Sequence, residues 1–372
     1  MAKQNHRVID ADGHILEPAD MWQRYMEPKF RDRAPTVKTD PDGKDRFYIE
    51  DMVLGGRTGI ASLGGLGYTG DVMQYPLRYT EGKPGGFDPK IRLKDMDAEG
   101  VDAAFLYPSL GLFVGGVKDP QFSAALCRAY NRWLADYCSA DPQRLFGIAM
   151  LPMFSVEAAI EEMRFARKQL GFRGGFMRPN PYHGRMVHHR VYDPFFAEAQ
   201  DLEFSIGFHE GAESGMPVVA IDRYEDKPGV KHIISHSMEM MLAALSVIMC
   251  GVCERYPKVH FGFLEAGGGW MAGWLDRMDR HFNHRYVPDP DVRIAPSDYF
   301  KRQCWIAFEP VERSLPHLAE FLGPEKILWA TDYPHVDGYI GAPDMIKAMP
   351  GMSEQIKLRI LSEGAKGYYR LK

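Results

Sequence analysis

Val8–Pro18 reads VIDADGHILEP. A short apolar run, Val8-Ile9, leads straight into Asp10, Asp12 and His14, with Glu17 just beyond. This is the pattern of a strand that delivers carboxylates and an imidazole at its C-terminal end. Alternation puts Asp12 and His14 on one side of an extended backbone. Such an Asp-x-His pair can turn two ligand atoms toward one divalent cation. The plain alternative is a loop with a capping Asp12 and a surface His14, so the clip needs support from the rest of the chain.

Outward from this strand, ADMWQRYMEPKFRDRAP leads into an irregular, glycine-rich region that runs to about Phe87. It holds Gly55, Gly56, Gly59, Gly64, Gly65, Gly67 and Gly70. An insertion over 38–87 reads as a lid or an interface arm, because structureless loops of that length are uncommon inside a domain. From Pro89 the chain alternates regularly. Strands are expected at Val101–Ser109, Arg144–Pro152, Arg173–Asn180, Glu203–Gly211, Val259–Gly267, Gln303–Pro310 and Lys326–His335. Helices follow each of them, with Ser155 capping one. With Val8–Pro18 this makes eight strand–helix units. Eight such units predict a closed (β/α)8 TIM barrel, with residues 1–372 as a single domain. An open doubly wound sheet is disfavoured, since no G-x-G-x-x-G follows the first strand.

The 372 residues are 45% hydrophobic, enough for one large core. A net charge of -5 with intermixed signs gives no nucleic-acid footprint. No apolar run of membrane-spanning length and no signal-peptide core are read from the sequence, and five cysteines fit a reducing cytoplasm. Cys250 and Cys253 form a lone C-x-x-C inside an apolar helical stretch, so buried thiols are expected there. The 21 methionines and 12% aromatic content suggest an oligomer interface as well as a core.

Barrel chemistry gathers where the strands end. Asp12 and His14 end the first strand, His209 the fifth, Glu265 the sixth and Asp332 the eighth. His236, in the loop entering the next helix, can reach the same mouth. Taken singly, each is a helix cap or a satisfied histidine. Together they form the expected metal set: Asp12, His14, His209, His236, Glu265 and Asp332. Arg178, ending the fourth strand, could clamp a substrate carboxylate or sit in a structural ion pair. His335 reads as an orienter of a ligand or a proton shuttle. Glu17 either fixes the His14 tautomer or caps its own segment.

The motifs DADGHILEP, SIGFHEG, RYPKVHFGFLEAGGGW and WATDYPH resemble the amidohydrolase-related branch of the amidohydrolase superfamily. That branch includes the aminocarboxymuconate semialdehyde and resorcylate decarboxylases. The resemblance implies a TIM barrel with metal ligands at Asp12, His14, His209 and Asp332. Two departures stand out. The decarboxylases usually open with His-x-His or Glu-x-His, where this chain has Asp12-x-His14. Their sixth strand ends with a proton-donating His, where this chain has Glu265. A carboxylate beside a divalent cation stays ionised and binds it, so Glu265 reads as a ligand or bridge.

Counted this way, the donors suffice for two metals per chain. The fourth strand ends FMRPN and offers no bridging group, so Glu265 would have to join them. The pattern is similar to a small dinuclear oxygenase offshoot of the superfamily, which includes the 2-aminoisobutyric acid hydroxylase. The resulting expectation is an iron or iron–manganese monooxygenase acting on a small organic or amino acid. It would need a ferredoxin and reductase, and a paralogous partner chain would fit. In this reading Glu265, Asp332 and His335 carry the chemistry. The alternative is a redox-inert zinc or manganese amidohydrolase or non-oxidative decarboxylase. A metal-poor structural subunit is disfavoured, since every ligand position is filled.

Overall fold

The structure is a computed structural model and describes residues 6–211, 214–224, 226–284 and 290–372. Eight parallel strands form the barrel. They are β1 (Ile9–His14), β2 (Ala103–Tyr107), β3 (Leu145–Gly147 continuing as Ala149–Met150), β4 (Gly174–Met177), β5 (Ser205–Phe208), β6 (Phe261–Phe263), β7 (Cys304–Phe308) and β8 (Ile327–Trp329). A helix covers each: α1 (Pro89–Glu99), α2 (Pro120–Cys138), α3 (Val156–Lys168), α4 (Asp193–Asp201), α5 (Glu239–Met249), α6 (Met271–His284), α7 (Leu315–Leu322) and α8 (Glu354–Tyr369). All strand–helix alternations fall where the hydrophobic pattern predicts them.

Neighbours pair in register around the sheet, from Ile9 with Ala103 to Phe308 with Trp329. β3 pairs with β2 through its first piece and with β4 through its second. Every residue of β1, β2, β4, β5 and β7 is buried, as expected of a parallel sheet covered on both faces. The last helix enters this core. The Tyr369 ring stacks on Phe105 with centroids 3.5 Å apart, and its hydroxyl donates to the Ala11 carbonyl at 2.8 Å. A Cβ at Gly262 would meet the Tyr368 ring at 2.6 Å, so that strand position admits only glycine.

Three features differ from the sequence expectation. First, the region before α1 is not irregular throughout. Thr36–Thr39, Asp45–Ile49 and Met52–Leu54 form an antiparallel sheet. Asp42-Gly43 makes the turn, with Gly43 at φ 83°, and Asp45, Phe47 and Ile49 point inward in strict alternation. Beyond it, Ile60–Leu66 lies against the loop after β8. Leu66 N–H donates to the Pro334 carbonyl at 3.0 Å, and Val336 N–H to the Ser62 carbonyl at 3.1 Å.

Second, the helix after β5 is not uniform. A π-helical turn over Ile234–Met238 precedes α5, and Gly251 at φ 77° separates α5 from the short helix Val252–Arg255. Cys253 there faces Cys304, sulfur to sulfur, at 4.0 Å. Third, Gly229–Met249 is 21 residues long and apolar enough to cross a bilayer, which corrects the expectation that no run has that length. In this fold 56% of its most apolar window is buried. Its apolarity therefore serves packing against the barrel.

Candidate metal centre

β1 supplies Asp12 and His14, both buried. The register of β1 against β2 shifts between Asp10 and Gly13, which re-aims the strand end. His14 Nδ1 lies 2.8 Å from the Pro108 carbonyl and His209 Nδ1 lies 2.6 Å from the Glu210 carbonyl. Each carbonyl requires a donor, so each Nδ1 carries the proton and each Nε2 turns a lone pair inward.

The two Nε2 atoms meet the carboxylates at the strand ends. His14 Nε2 is 3.8 Å from Asp12 Oδ1, 3.7 Å from Glu265 Oε2 and 3.3 Å from Asp332 Oδ1. His209 Nε2 is 3.5 Å from Asp12 Oδ1 and 2.9 Å from Glu265 Oε2. These five atoms are buried, and none has a hydrogen-bond partner. Ligands bound at about 2.1 Å around one ion stand about 3–4 Å apart. Five orphaned acceptor-type atoms, each carboxylate oxygen at about that spacing from His14 or His209, fit a divalent-cation centre, because leaving them unpaired is costly.

The titration behaviour points the same way. Burial pushes Asp12 up to about 6 and, with Glu265 adding to it, holds Asp332 well above the carboxylate range. Burial opposes a charged His209, yet Asp12 and Glu265 outweigh it and lift the imidazole to about 10. In an anionic cage a proton takes the position a cation would fill. Glu265 and Asp332 both hold left-handed backbone, at φ 48° and 52°. Such conformations cost about 1–3 kcal/mol each in non-glycine residues and cluster at functional sites.

His236 sits on the π-helical turn and faces the opposite edge of the same carboxylate, its Nε2 3.8 Å from Glu265 Oε1. Its Nδ1 lies 3.0 Å from the His232 carbonyl, and burial with His232 alongside pushes it down to about 3. The His335 ring lies tilted against His14 with centroids 4.1 Å apart and places Nδ1 3.0 Å from Asp332 Oδ1. A cavity of about 430 Å³ opens onto the cluster, lined by Asp12, His236, Glu265, Phe308, Asp332 and Tyr339 among others.

Six of the expected residues are thus brought to one mouth, with His335 behind them. Arg178 is not. It is buried, its Nη2 pairs with Glu210 at 2.6 Å and its Nη1 donates to the Leu112 carbonyl, so its guanidinium lies in an internal ion pair and away from the cavity. Glu17 accepts from Leu110 and Gly111 N–H at 2.9 and 2.8 Å, a cap for the turn after β2, and does not touch His14. Two residues went unread. Asp337 places a carboxylate oxygen within 4.8 Å of those of Glu265 and Asp332. Ser109 holds His335 Nε2 at 2.8 Å. Both sit in strand-end loops, and a strand-end position was the one signal available for either.

Residues 9–371 match the family described as amidohydrolase. The chain belongs to this family. Among related proteins, a 2-amino-3-carboxymuconate-6-semialdehyde decarboxylase of Dictyostelium discoideum is 26% identical over 284 residues, 75% of this chain and 76% of that one. In solved structures, this amidohydrolase resembles one from Mycobacterium avium subsp. paratuberculosis K-10, with a TM-score of 0.81 and 23% identity over 98% of this chain and 99% of that one. It also resembles a dihydroxybenzoic acid decarboxylase of Polaromonas sp. JS666, with bound manganese and the inhibitor 2-nitroresorcinol, at a TM-score of 0.69 and 18% identity over 98% and 97% of the two chains. Those structural likenesses bear on the TIM-barrel fold of the amidohydrolase.

Proposed function

We propose that this amidohydrolase is a redox-inert, divalent-metal-dependent non-oxidative decarboxylase of a small organic acid. The observation that carries the metal requirement is the set of five buried, unpartnered donor atoms at the barrel mouth. Asp12, His14, His209 and Glu265 would hold the ion, with Asp332 completing the set. When bound, the cation supplies a Lewis acid for a substrate carboxylate or hydroxyl. Two of the three proteins named above are decarboxylases, which supports this reading over the monooxygenase, and a decarboxylase needs no ferredoxin or reductase.

The residues divide the remaining work. The 430 Å³ cavity takes the substrate body against Phe308 and Tyr339. Loss of carbon dioxide leaves an electron pair on carbon that must take a proton. Asp332, which lines the cavity, and His335, 3.0 Å from it, are the pair placed to relay it. His335, touching Asp332 on one side and Ser109 on the other, orients it.

One observation favours two metals over one. The Glu265 oxygens face different imidazoles, Oε2 toward His209 and Oε1 toward His236, as a bridging carboxylate would. The deciding experiment is an anaerobic assay of the Mn²⁺-loaded enzyme on a panel of small aromatic and unsaturated carboxylic acids, with elemental analysis of the protein as isolated. Carbon dioxide release without O2 is expected. Turnover that requires O2 and a reductant, on protein holding about two irons, would overturn the reading in favour of the hydroxylase.

A further inference from the structure

We infer that Arg92, paired with Asp10, is the positioning residue of the metal centre: it sets the gap between the ends of β1 and β8, and so the separation of His14 from Asp332. The inference rests on the metal-centre reading and concerns how that centre is built.

Among the described residues, no strand ladder joins β8 to β1. The barrel closes there through one backbone bond, His14 N–H to the Tyr333 carbonyl at 2.7 Å, and through a buried side-chain network. Arg92 reaches in from α1 and is 2% exposed. Its Nη1 donates to the His14 carbonyl at 3.1 Å and to the Tyr333 carbonyl at 3.4 Å. Its guanidinium lies over the Tyr333 ring, 4.0 Å from the centroid. Its Nη2 stands 3.9 Å from Asp10 Oδ2. Asp10 in turn accepts from Asp12 N–H and Thr331 N–H, each at 3.2 Å, and from the Thr331 hydroxyl.

One cation and one carboxylate therefore touch the backbone at or beside three candidate ligands: Asp12, His14 and Asp332, the last held from both Thr331 and Tyr333. Asp10 itself belongs to none of the candidate ligand groups and spends its oxygens on this closure. The glycine of the Asp-x-Asp-Gly-His run follows from the same geometry. A Cβ at Gly13 would meet Arg92 Nη2 at 2.6 Å and Asp10 Oδ2 at 2.8 Å. Gly13 is not in the left-handed region, so space is what demands glycine. A buried ion pair is weak ground for a stability argument. What singles this one out is that its hydrogen bonds end on the flanks of the ligands.

The test reads Mn²⁺ binding directly, with no substrate present, by competition titration and by the electron paramagnetic resonance spectrum of the bound ion. Arg92→Met is expected to weaken Mn²⁺ binding tenfold or more and to change the spectrum, as losses of ligand-orienting partners do. Arg92→Lys should recover part of the affinity, because an ammonium can still reach the two carbonyls. Gly13→Ala, which displaces the guanidinium without removing its charge, should weaken binding in the same way. Mn²⁺ affinity within twofold of wild type and an unchanged spectrum in folded Arg92→Met would overturn the inference. If that variant does not fold, the same result in Gly13→Ala overturns it. Failure of the wild-type protein to bind Mn²⁺ would instead sink the metal-centre reading itself.

Discussion

His335 Nδ1 faces Asp332 Oδ1 at 3.0 Å while its Nε2 faces Ser109 Oγ at 2.8 Å. The Ser109 hydroxyl proton is committed to the Ile15 carbonyl at 2.6 Å. Ser109 must therefore accept from His335, so Nε2 carries the ring proton and Nδ1 turns a lone pair toward the carboxylate. Two lone pairs at that distance repel unless a proton or a cation lies at Asp332. The relay from Ile15 to Asp332 thus presses the carboxylate toward positive charge. Ser109→Ala frees the ring to reverse its tautomer and donate to Asp332. Metal affinity should then fall about 10–100-fold. A competition titration against a chelator of known affinity measures it, and an unchanged affinity would show that the relay is idle.

Removing the metal should destabilise the whole fold. Five buried atoms without partners are tolerated when an ion fills the space between them. A ligand present at roughly 1,000 times its Kd adds about 4 kcal/mol to stability. Exhaustive chelation should lower the thermal midpoint and added Mn²⁺ should restore it. A midpoint indifferent to both treatments would mean that protons alone satisfy the cluster.

Glu265→Gln keeps the side-chain shape and removes the charge that faces His209 on one side and His236 on the other. Bound metal should drop by about one ion per chain, read by elemental analysis after dialysis. Full retention of the wild-type metal content would rule out a bridging role for this residue.

A pH effect is expected away from the site. His260 packs on Trp305 with ring centroids 4.5 Å apart and places Nδ1 3.0 Å from the Tyr368 carbonyl. Burial, with Arg370 nearby, pushes it down to about 4. The fold therefore favours the neutral ring, while the unfolded chain titrates near about 6.5. Above about 6.5 this contribution to stability is fully present, and it is lost as pH falls toward 4. Denaturation midpoints of wild type and His260→Gln, compared between pH 7 and 4, should converge as pH falls. Parallel curves would show that His260 contributes nothing to acid sensitivity.

Much of the site could be read from the chain because strand ends are easy to locate. An apolar run that stops at Asp12, His209, Glu265 or Asp332 announces the strand and the polar residue it delivers, whereas the aim of Glu265 and Asp332, two and three residues past β6 and β8 in left-handed backbone, comes from the loops. The same logic leaves Arg178 open between a substrate clamp and a structural ion pair, since nothing in FMRPN says that Glu210, thirty-two residues on, takes its guanidinium. Ser109 and Asp337 were passed over because a serine or an aspartate after a strand is commonplace. Their roles exist only against His335 and against Glu265 with Asp332. The hairpin over 36–54 was overlooked although Asp42-Gly43 and the alternation of Asp45, Phe47 and Ile49 encode it, because the glycines that follow dominate the composition of the stretch.

By itself, the sequence determined the eight strand–helix units and the residues that end them, because hydrophobic periodicity and capping act over a few neighbours at a time. It also set the donor types, and hence the demand for a cation. Only the tertiary structure decided which nitrogen of each histidine faces inward, since that depends on the carbonyls of Pro108 and Glu210, one of them far away in the chain. It alone decided that β1 and β8 meet across Arg92, and that Asp10, two residues from a candidate ligand, is occupied with closing the barrel. Those outcomes come from contacts between segments up to 321 residues apart, which local pattern does not carry.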